Sequence, residues 1–253
     1  MAVRRREDAE ELRRLARAMY FSNETVDGFL ESATAAEARA VAALLAAEAR
    51  VRERNRRDRL YRRAKFPQPK SFDGYDFSRV SMPDGYSPEE MMSLSFLDAA
   101  EDFVFHGPTG RGKTHLAIAI GTAAASSGRP VRFFTAADLV LQLKRASREG
   151  ALEQQLRDVA KCDLLIVDEF GYVPLDVEGA RLLFQVVADC YERRSLVITT
   201  NIEFSKWGTV LADDKLAAAM IDRIVHHGRL VEFTGTSRRM DAALMLAGAR
   251  EAV

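Results

Sequence analysis

A glycine-rich stretch in the middle of the chain has the residue types and spacing of a loop that holds phosphate groups. Residues 107–114 read Gly-Pro-Thr-Gly-Arg-Gly-Lys-Thr and fit the pattern G-x-x-x-x-G-K-[ST]. Such glycines let backbone N–H groups converge on phosphate oxygens at the start of a helix. Lys113 is long enough to reach the outer phosphates, and the Thr114 hydroxyl suits Mg²⁺. The stretch predicts a nucleotide site, and the alternative is a glycine-rich turn that binds no ligand. The predicted nucleotide-binding residues are Gly107, Pro108, Thr109, Gly110, Arg111, Gly112, Lys113 and Thr114.

Two acidic residues directly after an apolar run supply the other half of this chemistry. Asp168 and Glu169 follow the four apolar residues 164–167, which predict a buried strand. Ligands bind at the carboxyl ends of strands in parallel sheets. We therefore expect Asp168 to hold Mg²⁺ together with Thr114, and Glu169 to polarise the water that attacks the terminal phosphate. The structural alternative is that both acids only cap the turn that follows.

Three more polar residues are candidates for sensing the nucleotide. Asn201 follows the next apolar run, where its amide would lie near the attacking water, although Asn also ends strands through local turns. Arg223 lies in the last turn of a helix predicted over 213–225, from which it either reaches a neighbouring subunit's nucleotide or interacts with the helix dipole. Arg239 follows the last apolar run and is a candidate for contacting the γ-phosphate.

Apolar runs that alternate with helical patterns must position these side chains. The alternation predicts right-handed crossovers and a parallel sheet with helices on both sides. The predicted strands are 103–105, 131–134, 164–167, 196–198 and 230–233. Residues 1–66 are predicted to form a small domain of two or three helices, 67–102 a proline- and glycine-marked linker, and 103–253 the α/β domain. Phe72 and Tyr75 in the linker either contact adenine or pack the domain.

The charge of the chain is balanced overall and strongly uneven along its length. With 253 residues and 47% hydrophobic side chains, the chain is not a disordered or fibrous protein. Residues 50–70 carry ten basic and two acidic residues. Arginines on nearly every face of one helix predict contact with duplex DNA phosphates, with weak sequence specificity. The predicted contacts are Arg50, Arg52, Arg54, Arg56, Arg57, Arg59, Arg62, Arg63 and Lys65, with Lys144, Arg145 and Arg148 in a smaller cluster.

The cysteines and the first residues of the chain indicate the cellular compartment in which the protein acts. Cys162 and Cys190 are the two cysteines, and neither has the spacing of a zinc site. The first residues lack an apolar signal segment, and no run of 18 apolar residues follows. These features predict a cytoplasmic protein in a reducing compartment, without a membrane contact.

Taken in order, these motifs resemble the IstB family of transposition helper ATPases, relatives of the DnaC-type helicase loaders in the AAA+ class. The resemblance spans nearly the whole chain, and the string Asp-Glu-Phe-Gly-Tyr at 168–172 is its most specific part. It implies an AAA+ ATPase fold behind a helical amino-terminal domain, with ATP and Mg²⁺ as cofactors. It also implies that Asn201 is the first sensor, Arg223 the intersubunit arginine and Arg239 the second sensor.

The resemblance also implies a biological role for the ATPase activity. In this family ATP drives self-assembly on duplex DNA, and a partner transposase uses the assembly for target selection and stimulates ATP hydrolysis. The expected protein is therefore a homo-oligomer with ATP sites between subunits. Three other functions stay open: a replicative helicase loader, a small-molecule phosphotransferase with the same loop, and a DNA scaffold that binds ATP without turnover.

Overall fold

Two compact units make up the chain. The computed structural model describes residues 2–235 and residue 237, and the units meet between Arg59 and Leu60. This division falls inside a helix, whereas the sequence places a domain boundary at residue 66. That boundary stays a prediction about which part folds independently.

Three helices form the first unit: α1 (Ala2–Ala18), α2 (Asn23–Ser32) and α3 (Ala35–Ala64), the last of which continues into the second unit. Leu12, Ala16 and Val26 form its small buried core. Helix α2 begins where the Ser22 hydroxyl accepts a hydrogen bond from the Thr25 backbone N–H. The predicted amino-terminal helices are confirmed.

Residues 67–102 belong to the core of the second unit. They contain strand β1 (Val80–Ser81) and helix α4 (Pro88–Ser93), and Tyr75, Met91 and Phe96 are buried. The sequence predicts a linker and the entry to the α/β domain here, because prolines and glycines interrupt an acidic stretch. The structure differs because these side chains pack together on one side of a sheet.

The second unit is built on a six-stranded sheet. Its further strands are β2 (Asp102–His106), β3 (Val131–Thr135), β4 (Leu164–Phe170), β5 (Ser195–Thr200) and β6 (Gly228–Phe233). The strand order is β1-β6-β2-β5-β4-β3, in which β1 is antiparallel to β6 and every other pair is parallel. The five predicted strands and their parallel arrangement are confirmed, and each strand is longer than its apolar run.

Helices cover both faces of this sheet. They are α5 (Lys113–Ser126), α6 (Ala136–Arg148), α7 (Leu152–Val159), α8 (Val177–Cys190), α9 (Trp207–Leu211) and α10 (Asp214–His226). Alternate residues of β4 face opposite sides: Leu165 and Val167 pack with α6, α8 and α10, while Leu164 and Ile166 pack with α5 and residues 67–102. None of the helices in the described part of the chain is long and apolar enough to cross a bilayer.

A buried carboxyl at the start of β2 makes the stability of this unit depend on pH. Asp102 is 6% exposed, and its Oδ1 accepts a hydrogen bond from the Leu196 backbone N–H at 2.8 Å. Burial raises the pKa of Asp102 from 3.8 to about 7, so between these values the native state holds a proton that the unfolded chain releases. The contribution of Asp102 to the free energy of unfolding is therefore fully present below pH 3.8 and is lost as the pH rises through about 7.

Replacing Asp102 with asparagine should remove this pH dependence. Asparagine keeps the acceptor oxygen and does not ionise. Between about pH 4 and pH 7, we expect the free energy of unfolding of the parent to fall by about 1.4 kcal/mol per pH unit relative to Asp102→Asn. Urea unfolding of both proteins at several pH values measures this difference, and parallel pH profiles would contradict it.

Candidate functional site

The glycine-rich loop lies between the end of β2 and the start of α5, and all three of its glycines have backbone conformations that other residues rarely adopt. Gly107 has φ +145°, and a Cβ atom there would lie 2.3 Å from the Phe233 carbonyl oxygen. Gly112 has φ +98° and directly precedes α5. The loop can therefore pass close to β6 and turn sharply into the helix, as a phosphate-binding backbone requires.

Lys113 places its ammonium group inside the curve of this loop. The side chain is 5% exposed, and Nζ donates a hydrogen bond to the Pro108 carbonyl at 2.8 Å and another to the Gly107 carbonyl. A buried ammonium needs such partners. The same position is suited to the oxygens of a triphosphate, which would offer the ammonium a full negative charge.

Arg111 provides an independent sign that the loop is built for an anion. Its Nε and Nη1 atoms are buried, and no hydrogen-bond partner for them exists among the described residues. Buried polar atoms are almost always hydrogen-bonded, because leaving them unpaired is costly. A guanidinium with two unpaired nitrogens beside a phosphate-type loop fits a nucleotide phosphate.

The Thr114 hydroxyl, at the start of α5, meets the Asp168 carboxylate near the carboxyl end of β4. Thr114 Oγ1 donates to Asp168 Oδ1 at 2.9 Å and to Oδ2 at 3.1 Å, and Asp168 is 3% exposed. Thr199 Oγ1 from β5 also donates to Asp168 Oδ1. This set of hard oxygen ligands is the kind that Mg²⁺ prefers, so the residues fit a magnesium ion.

An irregularity in β4 turns Glu169 away from the apolar core. The register of β4 against β5 shifts between Val167 and Phe170, so Phe170 takes the buried position next to Trp207. Glu169 is exposed, has φ +59°, and donates its backbone N–H to Thr199 Oγ1 at 3.0 Å. A left-handed conformation is uncommon at a residue other than glycine.

A cavity of about 320 Å³ joins these groups. The loop, Lys113, Thr114 and Glu169 line it, together with residues that the sequence analysis missed: Gln68, Lys70, His115, Tyr172 and Thr199. The Tyr172 hydroxyl shares a hydrogen bond with Thr109 Oγ1 at 2.9 Å. His115 directly follows the loop and Tyr172 lies within the string at 168–172. Gln68, Lys70 and Thr199 match no motif, because the fold brings them to the cavity from distant segments.

Tyr75 and Phe72 contact the core beside the loop. Tyr75 packs edge-on against Phe77 with ring centroids 4.8 Å apart, and its hydroxyl donates to the Gly112 carbonyl at 3.4 Å. Phe72 packs on the same cluster. These contacts favour the packing interpretation of both aromatics over contact with adenine.

The three candidate sensor residues have different positions. Asn201 is exposed and directly follows Thr200, whose register partners are His106, just before the loop, and Phe170, just after Glu169. Arg223 is half-buried in the last turn of α10, donates to the Ala219 carbonyl at 2.8 Å and lies over the Phe184 ring. Arg239 lies outside the described residues.

The arginines predicted to contact DNA are exposed along the second half of α3. Arg52 and Arg57 form ion pairs with Glu48 and Glu53 one turn earlier. Within the described chain, Arg54 and Arg59 have no acidic partner. Their charge is therefore available to a polyanion.

The smaller basic cluster, Lys144, Arg145 and Arg148, has less net positive charge around it than the sequence indicates. Lys144 contacts Asp176 at 2.7 Å and Glu178 at 3.7 Å, and Arg145 contacts Glu149 at 2.8 Å. Arg148 donates to the Lys144 carbonyl. These acidic partners reduce the positive field that DNA would meet there.

One exposed aromatic beside the basic helix was not found from the sequence. Tyr20, 93% exposed, lines a groove of the first unit with Arg52, Arg56 and Arg59. Tyr20 lies in the turn between α1 and α2, far from these arginines along the chain, so the sequence does not indicate that they are neighbours. The fold places it beside them.

The chain is similar to known proteins over most of its length. A family model described as IstB-like ATP binding protein matches residues 8–244. The chain is 44% identical over 181 residues to the ATP-binding protein of insertion sequence IS5376 from Geobacillus stearothermophilus, covering 72% of each chain. It is 43% identical over 190 residues to that of IS232 from Bacillus thuringiensis, covering 75% of this chain and 76% of the relative.

Solved structures are similar in fold. The DnaC helicase loader superposes with a TM-score of 0.52 at 24% identity, covering 65% of this chain and 96% of that one. The replication initiator DnaA bound to AMPPCP and single-stranded DNA gives a TM-score of 0.54 at 17% identity, covering 74% and 57%. At these identities the similarity shows the AAA+ fold alone.

Proposed function

The chain belongs to the IstB-like ATP-binding protein family, and from this premise we propose that it is an ATP-dependent regulator of DNA transposition. In this proposal it assembles on duplex DNA and delivers target DNA to a partner transposase, which would place it in the cytoplasm with that DNA. Its relatives are ATP-binding proteins of insertion sequences, which supports a transposition-associated ATPase. One observation carries the enzymatic part: Lys113, the Thr114–Asp168 pair and Glu169 all line or adjoin one cavity.

The residues of this cavity have separate roles in ATP hydrolysis. Lys113 and Arg111 bind phosphate oxygens and stabilise the charge that develops on them. Thr114 and Asp168 would hold Mg²⁺, which neutralises phosphate charge when bound. Glu169 accepts a hydrogen bond from the attacking water and aligns it, and Asn201 from the adjacent strand assists this alignment. The products are ADP and inorganic phosphate.

In this proposal, Arg223 couples ATP binding to the assembly of subunits. Within its own chain the guanidinium contacts Ala219 and Phe184, which are not among the residues that line the phosphate cavity. We place it against the nucleotide of a neighbouring subunit, where it stabilises the transition state. Bound ATP then favours the contact between copies, and hydrolysis removes it, so the ATPase acts as a timer.

The second half of α3 supplies the DNA contact in this proposal. Its arginines are exposed and arranged around the helix, which suits the phosphate backbone more than particular base edges. Binding of this kind is strongly salt-dependent, because each neutralised phosphate releases counterions.

Replacing Arg54 and Arg59 together with alanine should weaken duplex binding without affecting ATP binding. Loss of two phosphate contacts should lower the slope of log affinity against log salt by about 2. Fluorescence anisotropy with labelled duplexes of two unrelated sequences, in the presence of a slowly hydrolysed ATP analogue, measures the affinity and the slope. The loss should be equal for both sequences.

A double variant of α1 provides a matched control. Arg6 and Arg14 are exposed and form ion pairs with Glu10 and Glu11, so Arg6→Ala with Arg14→Ala removes the same charge from the same unit. Its salt slope should equal that of the parent. Equal slopes for both double variants would show that α3 is not the DNA contact.

A further inference from the structure

Two histidines and a glutamate meet at the end of α10, away from the phosphate cavity. His226 is the last residue of α10, His227 follows it, and Glu192 lies two residues beyond α8. One ligand atom from each of the three lies within 4.8 Å of the others, and His227 Nε2 is 3.1 Å from Glu192 Oε1. Strand β6 begins at Gly228, so this cluster lies at the amino end of the strand, whereas the phosphate cavity lies at the carboxyl ends.

The ligand types in this cluster select a class of metal ion. Two imidazoles and one carboxylate suit zinc and related divalent transition metals, whereas Mg²⁺ and Ca²⁺ prefer oxygen ligands alone. Three protein ligands leave a fourth position for water or for a group from another molecule. Among the described residues, no other group of three or more histidine, cysteine or acidic side chains is arranged in this way.

Neighbouring features fix the orientation of the ligands. The Tyr191 hydroxyl shares a hydrogen bond of 2.9 Å with His226 Nδ1, which restrains the imidazole ring as partners of metal-bound histidines do. Glu192 has φ +57°, a left-handed conformation that holds its side chain toward His227. The carboxyl end of a helix also carries partial negative charge, which favours a cation beside His226.

We propose that Glu192, His226 and His227 form a binding site for a divalent transition-metal ion of the zinc class. The ion would tie the residues after α8 to the end of α10. Arg223 lies one turn before His226 on α10, so the ion would also restrain the helix that carries this arginine. Metal binding itself needs neither nucleotide nor DNA, and it can be tested whether or not the proposed function is correct.

The test uses the full chain without a histidine tag, treated with a chelator, dialysed and free of nucleotide. Calorimetric titration with Zn²⁺ should show one saturable site per chain. Titration with Co²⁺ should give the visible absorption of a low-symmetry nitrogen and oxygen site. It should lack the intense charge-transfer band of thiolate ligands, because Cys162 and Cys190 are buried and neither belongs to the cluster.

Three variants locate the site. His227→Ala and Glu192→Gln should each weaken Zn²⁺ binding at least about tenfold, as losses around metal sites do. His106→Ala is the matched control: His106 Nδ1 lies 4.0 Å from Glu232 Oε1, a histidine–glutamate pair that belongs to no three-ligand group among the described residues. It should bind Zn²⁺ like the parent.

The proposal would be overturned by any of three results. These are the absence of saturable Zn²⁺ binding, unchanged affinity in both cluster variants, or an equal loss in His106→Ala. Glu192 is exposed and the change to glutamine conserves its shape, so this variant should fold even where the alanine variant does not. Circular dichroism checks that it does. A parallel measurement of ATP binding by the same proteins tests the proposed function separately.

Discussion

Replacing Lys113 with alanine is expected to abolish ATP binding and, with it, ATP-dependent assembly on duplex DNA. The ammonium is buried inside the loop and is the cation best placed for the outer phosphates. Hydrogen bonds to charged groups contribute about 1.5 to 3 kcal/mol each, so the loss of two weakens binding by at least about 100-fold. Equilibrium binding of a fluorescent ATP analogue measures this loss, and light scattering with and without duplex DNA measures the assembly.

A lysine on the surface of the same unit supplies the control. Lys161 is exposed and forms an ion pair with Asp158, so Lys161→Ala removes one positive charge far from any predicted role. It should bind ATP and assemble like the parent. If Lys113→Ala assembles on DNA as the parent does, the loop does not govern assembly, and the central part of the proposed function is wrong.

Replacing Glu169 with glutamine is expected to separate ATP binding from hydrolysis. Glutamine has nearly the same shape and accepts a hydrogen bond, but it does not accept the proton of the attacking water. Loss of a general base lowers rates by about 10² to 10⁴. Phosphate release should fall by that factor while ATP affinity changes little, and assemblies on DNA should persist after dilution into nucleotide-free buffer.

Glu153→Gln tests whether the effect is specific. Glu153 is exposed and forms an ion pair with Arg157 on α7, so its replacement changes the charge equally. Disassembly should then proceed at the parental rate. The timer hypothesis fails if Glu169→Gln also disassembles at the parental rate while its phosphate release is reduced.

The similar proteins support the transposition hypothesis more strongly than the hypothesis of a replicative helicase loader. The relatives at 43–44% identity are insertion-sequence proteins that this chain covers over about three quarters of their length. The helicase loader shares 24% identity, and that similarity concerns the fold. Transposition is therefore better supported than replication as the process in which this protein acts.

Local sequence was sufficient for the sheet and for the centre of the site. The central strands could be predicted because β4 and β5 are buried on both faces and so contain uninterrupted apolar runs at 164–167 and 196–198. Gly107 and Gly112 were predictable because their backbone conformations admit few other residues. Asp168 and Glu169 were predictable because they end a strand at the edge where such sheets bind ligands.

Tertiary contacts decide what the sequence could not show. The burial of Tyr75 and Met91 follows from docking against a sheet that forms from later residues. The ion pairs of Lys144 join residues more than thirty positions apart, so its cluster appears more basic in sequence than in space. Likewise, the two buried Arg111 nitrogens that have no hydrogen-bond partner in the described part of the chain are evident only once the loop is folded.

The short strand at one border of the sheet has a consequence for the proposed assembly of many copies. Strand β1 is two residues long and pairs with Phe233 and Glu232 at the end of β6. Strand β1 itself therefore offers few backbone groups for pairing with another chain. In the proposed assembly, strand pairing between copies would be favoured at the opposite border, where β3 (Val131–Thr135) is the longer edge strand.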